Sequence, residues 1–197
     1  MMRILYAALE MLAAMLVIVP VFWVLNLVLF QNVGKSMLHG LFACYLAAVY
    51  VLVGLPNVTY IRFDVNLNWV PFLGLLVDGK NSLLNIMLFV PLGVLLPVLC
   101  HWFRFGWKTV VFGLFMSFGI ELLQLFTLRA TDVNDLITNT LGAGLGFCIY
   151  KILPGEWVLA CSWAKSKKTE LYVTFAATVL IMFFVHPFLS AAMWEWI

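Results

Sequence analysis

Charged side chains are scarce in this sequence. Only 10% of its 197 residues are Asp, Glu, Lys or Arg, whereas 65% are hydrophobic, and the mean hydropathy is +1.08. A water-soluble domain of this length exposes a polar surface that so few polar residues cannot cover. The composition therefore excludes an ordinary soluble protein and predicts an integral membrane protein.

Motifs for cofactors, metals and nucleophilic catalysis are also missing. The cysteines form no C-x-x-C pair and have no histidine at ligand spacing, so we expect apolar thiols. These are Cys44, Cys100, Cys148 and Cys161. The histidines (His39, His101 and His186) form no Ser–His or Cys–His arrangement and are expected to be structural or interfacial. The sequence has no basic face of the kind that indicates nucleic-acid binding. The sequence predicts no metal, no cofactor and no nucleic-acid partner.

Long apolar runs are abundant. A helix needs about 20 apolar residues to cross a hydrocarbon core of roughly 30 Å. Five runs meet this requirement, and a sixth is polar at its start. The five are residues 4–30, 37–55, 83–102, 107–126 and 171–189, and the sixth is 133–153. The predicted fold is an all-α polytopic membrane protein with about six transmembrane helices, in a single membrane domain over 1–197. Pro20 predicts a kink in the first helix.

Residues 56–81 fit neither a lipid-facing span nor a free loop. The segment contains more polar residues than a lipid-facing span tolerates, namely Arg62, Asp64, Asn66, Asn68, Asp78 and Lys80. It also contains more apolar residues than a free loop has, including Trp69, Val70, Phe72 and Leu73. An interfacial or re-entrant segment, whose backbone is shielded by protein, accommodates both sets.

Basic residues predict the orientation. They lie in two loops, as Arg104 and Lys108 in one and Lys151, Lys165, Lys167 and Lys168 in the other. Positive residues favour the cytoplasmic side, so loops 103–107 and 151–170 are predicted to be cytoplasmic. Segments 56–81 and 128–132 are then predicted to face outward. The orientation of the N-terminus stays open, because it depends on whether segment 56–81 crosses the membrane.

Polar residues gather at the predicted outer ends of the helices. On three runs they recur at a spacing of three or four, and so share one helix face. Together with the neighbouring segment they form what we call the polar cluster, which comprises Arg62, Asp64, Asn68, Asn81, Asn85, Glu121, Gln124, Arg129, Asp132, Asp135 and Asn139. An ionisable residue in a span costs about 2.5 kcal/mol or more unless it is paired. Glu121 therefore needs a partner, and Arg62 and Arg129 are the predicted cations.

Two interpretations of the polar cluster remain open. Asp132 suits the N-cap of the helix that follows, and Asp135 suits its first turn, where negative charge favours the helix dipole. The other residues indicate either a structural ion-pair network or a site that also meets a ligand or lipid headgroup. No catalytic residue is assigned; in a catalytic site, Glu121 or Asp135 is the predicted base.

Three motifs follow one another at consistent spacing within residues 62–151. They are NWVPFLGLL, NSLLNIMLFVPLGVLLPVL and IELLQLFTLRATDVNDLITNTLGAGLGFCIYK. Their characteristic residues are Asn68, Trp69, Val70, Pro71 and Phe72; Asn85, Phe89, Pro91 and Gly93; Glu121 and Gln124; Arg129, Asp132, Asn134, Asp135 and Asn139; and Gly142 and Gly146. Together they resemble the VanZ-like membrane protein family, which often has Asp where this chain has Asn134. On a helical wheel Asn134 points away from the Asp132–Asp135 face, so we expect it to take no part in the cluster.

The resemblance implies a multi-pass protein of the bacterial plasma membrane linked to glycopeptide resistance, particularly to teicoplanin, with no agreed biochemical activity. It covers a core of about 62–151. Two N-terminal helices in residues 1–55 and an additional C-terminal helix at 171–189 lie outside it.

We weigh three functional hypotheses. The favoured one is a non-enzymatic protein whose polar cluster binds a lipid headgroup or lipoglycopeptide, with membrane lipids, a lipoglycopeptide antibiotic or a lipid-linked cell-wall precursor as partner. The second is an enzyme that modifies a lipid-linked cell-wall or phospholipid headgroup, in which Arg62 and Arg129 bind the phosphate. The third is a small transporter or scaffold. Polar groups confined to one end of the helices argue against transport.

Overall fold

The computed structural model describes residues 2–63, 67–68, 79–127, 131–153 and 166–195. Within these ranges, five helices are long and apolar enough to cross a membrane: Tyr6–Phe30, Val33–Val53, Gly79–Leu99, Gly106–Gln124 and Lys168–Glu195. They coincide with the five predicted spans to within a few residues at most ends, which confirms the all-α polytopic fold. The several apolar helices indicate a multi-pass membrane protein.

The helices are α1 (Met2–Leu25), α2 (Val33–Val53), α3 (Gly79–Leu99), α4 (Gly106–Gln124), α5 (Val133–Ile152), α6 (Lys168–Leu180) and α7 (His186–Glu195). The π-helical segments Asn26–Phe30 and Ile181–Val185 extend α1 and join α6 to α7. α5 matches the sixth predicted run. α1 continues through Pro20 as α-helix, and the change to π-helix follows at Asn26. Two short strands, β1 (Leu67–Asn68) and β2 (Thr131–Asp132), pair in parallel.

The chain divides into two compact units. The terminal unit comprises Met1–Ile61 and Ser166–Ile197, and the central unit comprises Arg62–Lys165. The central unit begins at Arg62, the residue at which the sequence motifs begin. The single membrane domain expected over residues 1–197 stays a prediction, as does the membrane side that each loop faces.

In the terminal unit, α1 packs antiparallel to α2, and the span formed by α6 and α7 runs parallel to α2. Small residues allow the close approach, because Ala14, Ala43 and Ala47 are fully buried beside Ile18 and Met182. Alanine at a helix contact lets two backbones approach closely, which increases the van der Waals packing that helps to hold helices together in lipid.

One end of the terminal unit is joined by an ion pair. Lys35 Nζ donates to both carboxylate oxygens of Glu170, at 3.0 Å each. His39 is fully buried beside this pair, with Nδ1 2.7 Å from Thr174 Oγ1 and Nε2 2.6 Å from Ser166 Oγ. We call these residues the Lys35 cluster; it joins the start of α2 to the start of α6.

The other end is joined through Glu10 of α1. Ser190 Oγ donates to Glu10 Oε1 at 2.6 Å, and Trp194 Nε1 donates to the same oxygen at 3.1 Å. His186 Nε2 lies 3.3 Å from Glu10 Oε2 and 3.0 Å from the Glu10 backbone carbonyl oxygen. Tyr6 also hydrogen-bonds Glu10 and stacks on Trp194. We call these residues the Glu10 cluster; its contacts agree with the expectation that His186 is structural or interfacial.

In the central unit, glycines bring α3 and α5 into backbone contact. A Cβ built on Gly146 would lie closer than 3.0 Å to Val90 O and 2.9 Å from Gly93 Cα. A Cβ on Gly142 would approach Ile86 O in the same way. Gly142 and Gly146, four residues apart, thus form a small-residue stripe on α5 that packs against α3.

Candidate functional site

Three polar residues line one face of α4. Ser117, Glu121 and Gln124 are spaced by four and three residues, so they project in one direction. All three are buried, with Glu121 only 4% exposed and Gln124 only 6% exposed. Ser117 and Glu121 both bond residues of the strand and helix that follow α4, so this face is turned toward α5.

Asp132 precedes α5 in an extended conformation, with φ −123° and ψ 122°. Its Oδ1 accepts a hydrogen bond from the Asn134 backbone N–H at 2.8 Å. The Asn134 side-chain amide donates to the same oxygen at 2.7 Å. The predicted N-cap is therefore confirmed.

The expectation that Asn134 takes no part in the cluster was wrong. Asn134 is 3% exposed and hydrogen-bonds Asp132 directly. The helical-wheel argument failed because Asp132 is not part of the helix. In the cap position its carboxylate turns back over the first turn and meets the amide two residues on.

Glu121 finds its partner in the backbone. Its Oε2 accepts from the Asp132 backbone N–H at 2.9 Å, and its own carbonyl oxygen accepts from Thr131 Oγ1 at 3.1 Å. The carboxylates of Asp132 and Asp135 are close enough to interact electrostatically with it. The sequence predicted that an arginine would pair with Glu121. Arg129, one of the two candidates, lies outside the described residues.

Two described parts of the predicted outward segment 56–81, Arg62 and Leu67–Asn68, pair with the chain that links α4 to α5. Arg62 N donates to Phe126 O at 2.9 Å. Further along, Leu67 pairs with Thr131 and Asn68 with Asp132. This backbone pairing brings Arg62 and the strand Leu67–Asn68 to the same end of the central unit as Glu121.

The remaining members of the polar cluster are less buried or undescribed. The Arg62 side chain is exposed beside Thr127, Asn81 is exposed in the first turn of α3, and Asn85 is half-buried one turn later. Asp64 and Arg129 lie outside the described residues, and Asn68 is described by its backbone alone. Whether all eleven residues act as one site stays a prediction.

Two buried oxygens at the α4–α5 interface have no hydrogen-bond partner. Asn139 Nδ2 donates to Ser117 Oγ at 2.9 Å, yet its Oδ1 is unsatisfied. Gln124 Oε1 is unsatisfied as well. Most buried polar atoms in proteins have a hydrogen-bond partner, so each of these two oxygens is an acceptor that lacks a donor.

The described ranges hold no group of three or more His, Cys, Asp or Glu side chains that could coordinate a metal ion. Cys44, Cys100 and Cys148 are free thiols, and Cys161 falls outside the described ranges. The arrangement at α4 and α5 is thus a set of carboxylate and amide oxygens rather than a recognisable metal centre.

Sequence reasoning missed Ser117 and the polar residues of the terminal unit. Ser117 stands four residues before Glu121, and this spacing was the available signal. Glu10 and Lys35 stand within or beside apolar runs, where a charge already suggests a buried partner. Their partners Ser190 and Glu170 are too distant in sequence for spacing to reveal them.

Replacing Asp132 with alanine is expected to lower the stability of the chain by about 1–2 kcal/mol, because the N-terminus of α5 loses its cap. For a chain of this size that corresponds to a fall in Tm of about 2–8 °C. Thermal unfolding of the full chain in detergent measures it. Asp132→Asn keeps an acceptor oxygen and is expected to retain most of the stability; an equal fall in both variants contradicts the capping role.

Known proteins resemble the part of the chain that contains these residues. A family model described as VanZ/LLP1 matches residues 10–154. Protein VanZ of Enterococcus faecium is 31% identical over 156 residues, which cover 76% of this chain and 91% of that protein. No solved structure matches the chain. The family match reaches beyond the motif region into α1 and α2, and it ends before α6. The chain belongs to the VanZ/LLP1 family.

Proposed function

We propose that this protein contributes to glycopeptide resistance, particularly to teicoplanin, by binding a lipid headgroup or a lipoglycopeptide at the polar cluster without chemical change. The family membership supports the resistance link. The observation that carries the binding role is the pair of unsatisfied buried oxygens, Gln124 Oε1 and Asn139 Oδ1, at the α4–α5 interface to which Glu121 also belongs.

The terminal unit contains polar contacts in which the buried groups satisfy one another. In the Lys35 cluster the charges meet each other at 3.0 Å, and in the Glu10 cluster hydroxyl, indole and imidazole groups surround the carboxylate. The α4–α5 interface differs, since three carboxylates interact there and two amide oxygens go without donors. Leaving a buried acceptor unsatisfied costs about 1–3 kcal/mol, a cost that a ligand offsets on binding.

An acyl chain adds selectivity to such a site. Each CH₂ that enters the bilayer contributes about 0.8 kcal/mol, so a membrane protein binds a lipidated glycopeptide in preference to an unlipidated one. Expression of the chain in a susceptible bacterium is therefore expected to raise the inhibitory concentration of teicoplanin more than that of vancomycin.

Glu121→Gln is expected to remove most of the teicoplanin shift. Glutamine keeps an acceptor for the Asp132 N–H and so preserves the fold, but it removes the charge. Glu195→Gln, at an exposed acid at the end of α7, is the matched control and is expected to keep the shift. Equal shifts for both antibiotics, or an unaffected Glu121→Gln, contradict the proposal. A change in extracted lipids that vanishes in Glu121→Gln favours an enzyme instead.

A further inference from the structure

We propose that Ser166 is a nucleophile for acyl transfer from an ester, with His39 as its general base. Both residues belong to the terminal unit, so the proposal does not depend on the polar cluster or on its ligand. The sequence showed no Ser–His arrangement, because the two residues stand 127 positions apart. The fold brings them together in the Lys35 cluster, where the start of α2 meets the start of α6.

The contact between the two side chains has the geometry that a serine nucleophile requires. His39 Nε2 lies 2.6 Å from Ser166 Oγ, within the range of about 2.6–3.2 Å for a nucleophile and its base. His39 is fully buried, whereas Ser166 is only half-buried. The serine therefore stands at the edge of the cluster, and the imidazole behind it is enclosed by protein.

Thr174 sets the position of the imidazole proton. Its hydroxyl donates to the Glu170 carbonyl oxygen at 2.9 Å, so the Thr174 oxygen is the acceptor for His39 Nδ1, which lies 2.7 Å away. A neutral imidazole with its proton on Nδ1 has a lone pair on Nε2. That lone pair faces Ser166 Oγ, as it does in serine triads, where a third group orients the base. Thr174 is thus the positioning residue.

The place of Ser166 in the chain suits acyl transfer. It stands two residues before Lys168, the first residue of α6 and of the last apolar span. A helix N-terminus has backbone N–H groups without partners inside the helix and carries a partial positive charge, which stabilises the oxyanion of acyl transfer. The end of an apolar span lies at the interfacial level of the bilayer, where lipid acyl chains meet their headgroups through ester bonds. The substrate class is therefore an ester, carried by a membrane lipid or by a soluble molecule.

The reaction has two steps, and water is its second reactant. Ser166 Oγ bonds to the carbonyl carbon of the ester while His39 Nε2 takes the hydroxyl proton. The bond between that carbon and the alcohol oxygen breaks, and the alcohol leaves with the proton from His39. Water then attacks the acyl-serine and gives a proton to His39, and Ser166 regains this proton as the carboxylic acid is released.

The first test is the reaction of the full chain, purified in detergent, with an alkyl fluorophosphonate, which forms a bond to an activated serine oxygen and loses fluoride. Intact mass spectrometry is expected to show one added group, which peptide mapping locates on Ser166. Ser166→Ala is expected to abolish this labelling. Ser36→Ala is the matched control, because the Ser36 hydroxyl of the same unit donates to the Phe22 carbonyl oxygen at 3.1 Å rather than to a histidine. A folded chain that does not react, or a Ser166→Ala variant that reacts as before, overturns the proposal.

The roles of His39 and Thr174 are measured by the rate of the same labelling, with the Tm of each variant as the check on folding. His39→Gln is expected to lower the rate at least about 100-fold, because the general base is lost. Thr174→Val is expected to lower it about tenfold, since Nδ1–H loses its acceptor, and Thr174→Ser keeps the hydroxyl and is expected to restore it. A folded His39→Gln variant that reacts at the wild-type rate contradicts the proposal. Equal rates in Thr174→Val and Thr174→Ser contradict the positioning role, and this pair keeps the test decisive if His39→Gln does not fold.

Two esters identify the source of the acyl group. The soluble probe is p-nitrophenyl butyrate, and the membrane probe is dioleoyl phosphatidylglycerol in mixed micelles. Release of oleic acid that is lost in Ser166→Ala identifies a membrane lipid as the source. Release of nitrophenol alone, with the same dependence on Ser166, identifies a soluble ester. If the folded chain cleaves neither, an ester is not the substrate and the proposal fails.

Discussion

Gly146→Ala is expected to separate α3 from α5 and to leave little correctly folded protein. The added Cβ would meet the Val90 carbonyl oxygen and Gly93 Cα at less than 3.0 Å. Both are backbone atoms, so neither can turn aside as a flexible side chain does. Overpacking of this kind costs about 1–3 kcal/mol or more, and the lost backbone contact between the helices adds to it. The yield of monodisperse protein and its Tm measure the effect.

Gly119→Ala is the matched control for this substitution. Gly119 is a helical glycine of the same unit, on α4, and a Cβ built there has no neighbouring atom within 4 Å. Alanine favours helix over glycine by about 1 kcal/mol, so the control is expected to be neutral or stabilising. A similar loss in both variants would show that glycine matters here for helix flexibility rather than for the α3–α5 contact.

Breaking the Lys35–Glu170 ion pair from one side is expected to cost about 3–5 kcal/mol. The side chains of the pair are 14% and 6% exposed. In Glu170→Leu the ammonium of Lys35 keeps its buried position without its carboxylate, and the Lys167 backbone N–H loses the acceptor it reaches at 2.9 Å. Thermal unfolding of the full chain in detergent measures the loss.

The double variant Lys35→Met/Glu170→Leu is expected to recover most of that loss, because an apolar pair of similar volume replaces a charged one without leaving an unpaired charge. Lys168→Met, at an exposed lysine of the same helix start, is expected to change stability by no more than about 0.5 kcal/mol. Additive effects of the two single changes would contradict a direct ion pair.

Much of the fold was predictable because its signals are local. Run length alone located the spans, since the thickness of the bilayer sets the number of apolar residues. The N-cap at Asp132 and the stripe of Gly142 and Gly146 could also be predicted, because each depends on residues within two turns. The spacing of Glu121 and Gln124 also predicted that they share one helix face, and this face is buried.

The rest depends on contacts that no local pattern encodes. Lys35 meets Glu170 across 135 residues, and Glu10 meets Trp194 across 184. The hydrogen bond that Glu121 Oε2 accepts from the Asp132 backbone N–H is a further example. Backbone donors leave no trace in residue types, so the sequence does not reveal this contact; the predicted arginine partner of Glu121 stays a prediction.

The Lys35–Glu170 contact has a consequence for biosynthesis. Glu170 leaves the ribosome 135 residues after Lys35, which at about 5–20 residues per second is a delay of roughly 7–27 s. During that interval the first two helices are in the membrane while Lys35 and His39 still await the last span. The terminal unit therefore assembles only late in translation. In a nascent chain that stalls before Glu170, Lys35 and His39 lack the side-chain partners on Glu170 and Thr174 that they have in the finished protein.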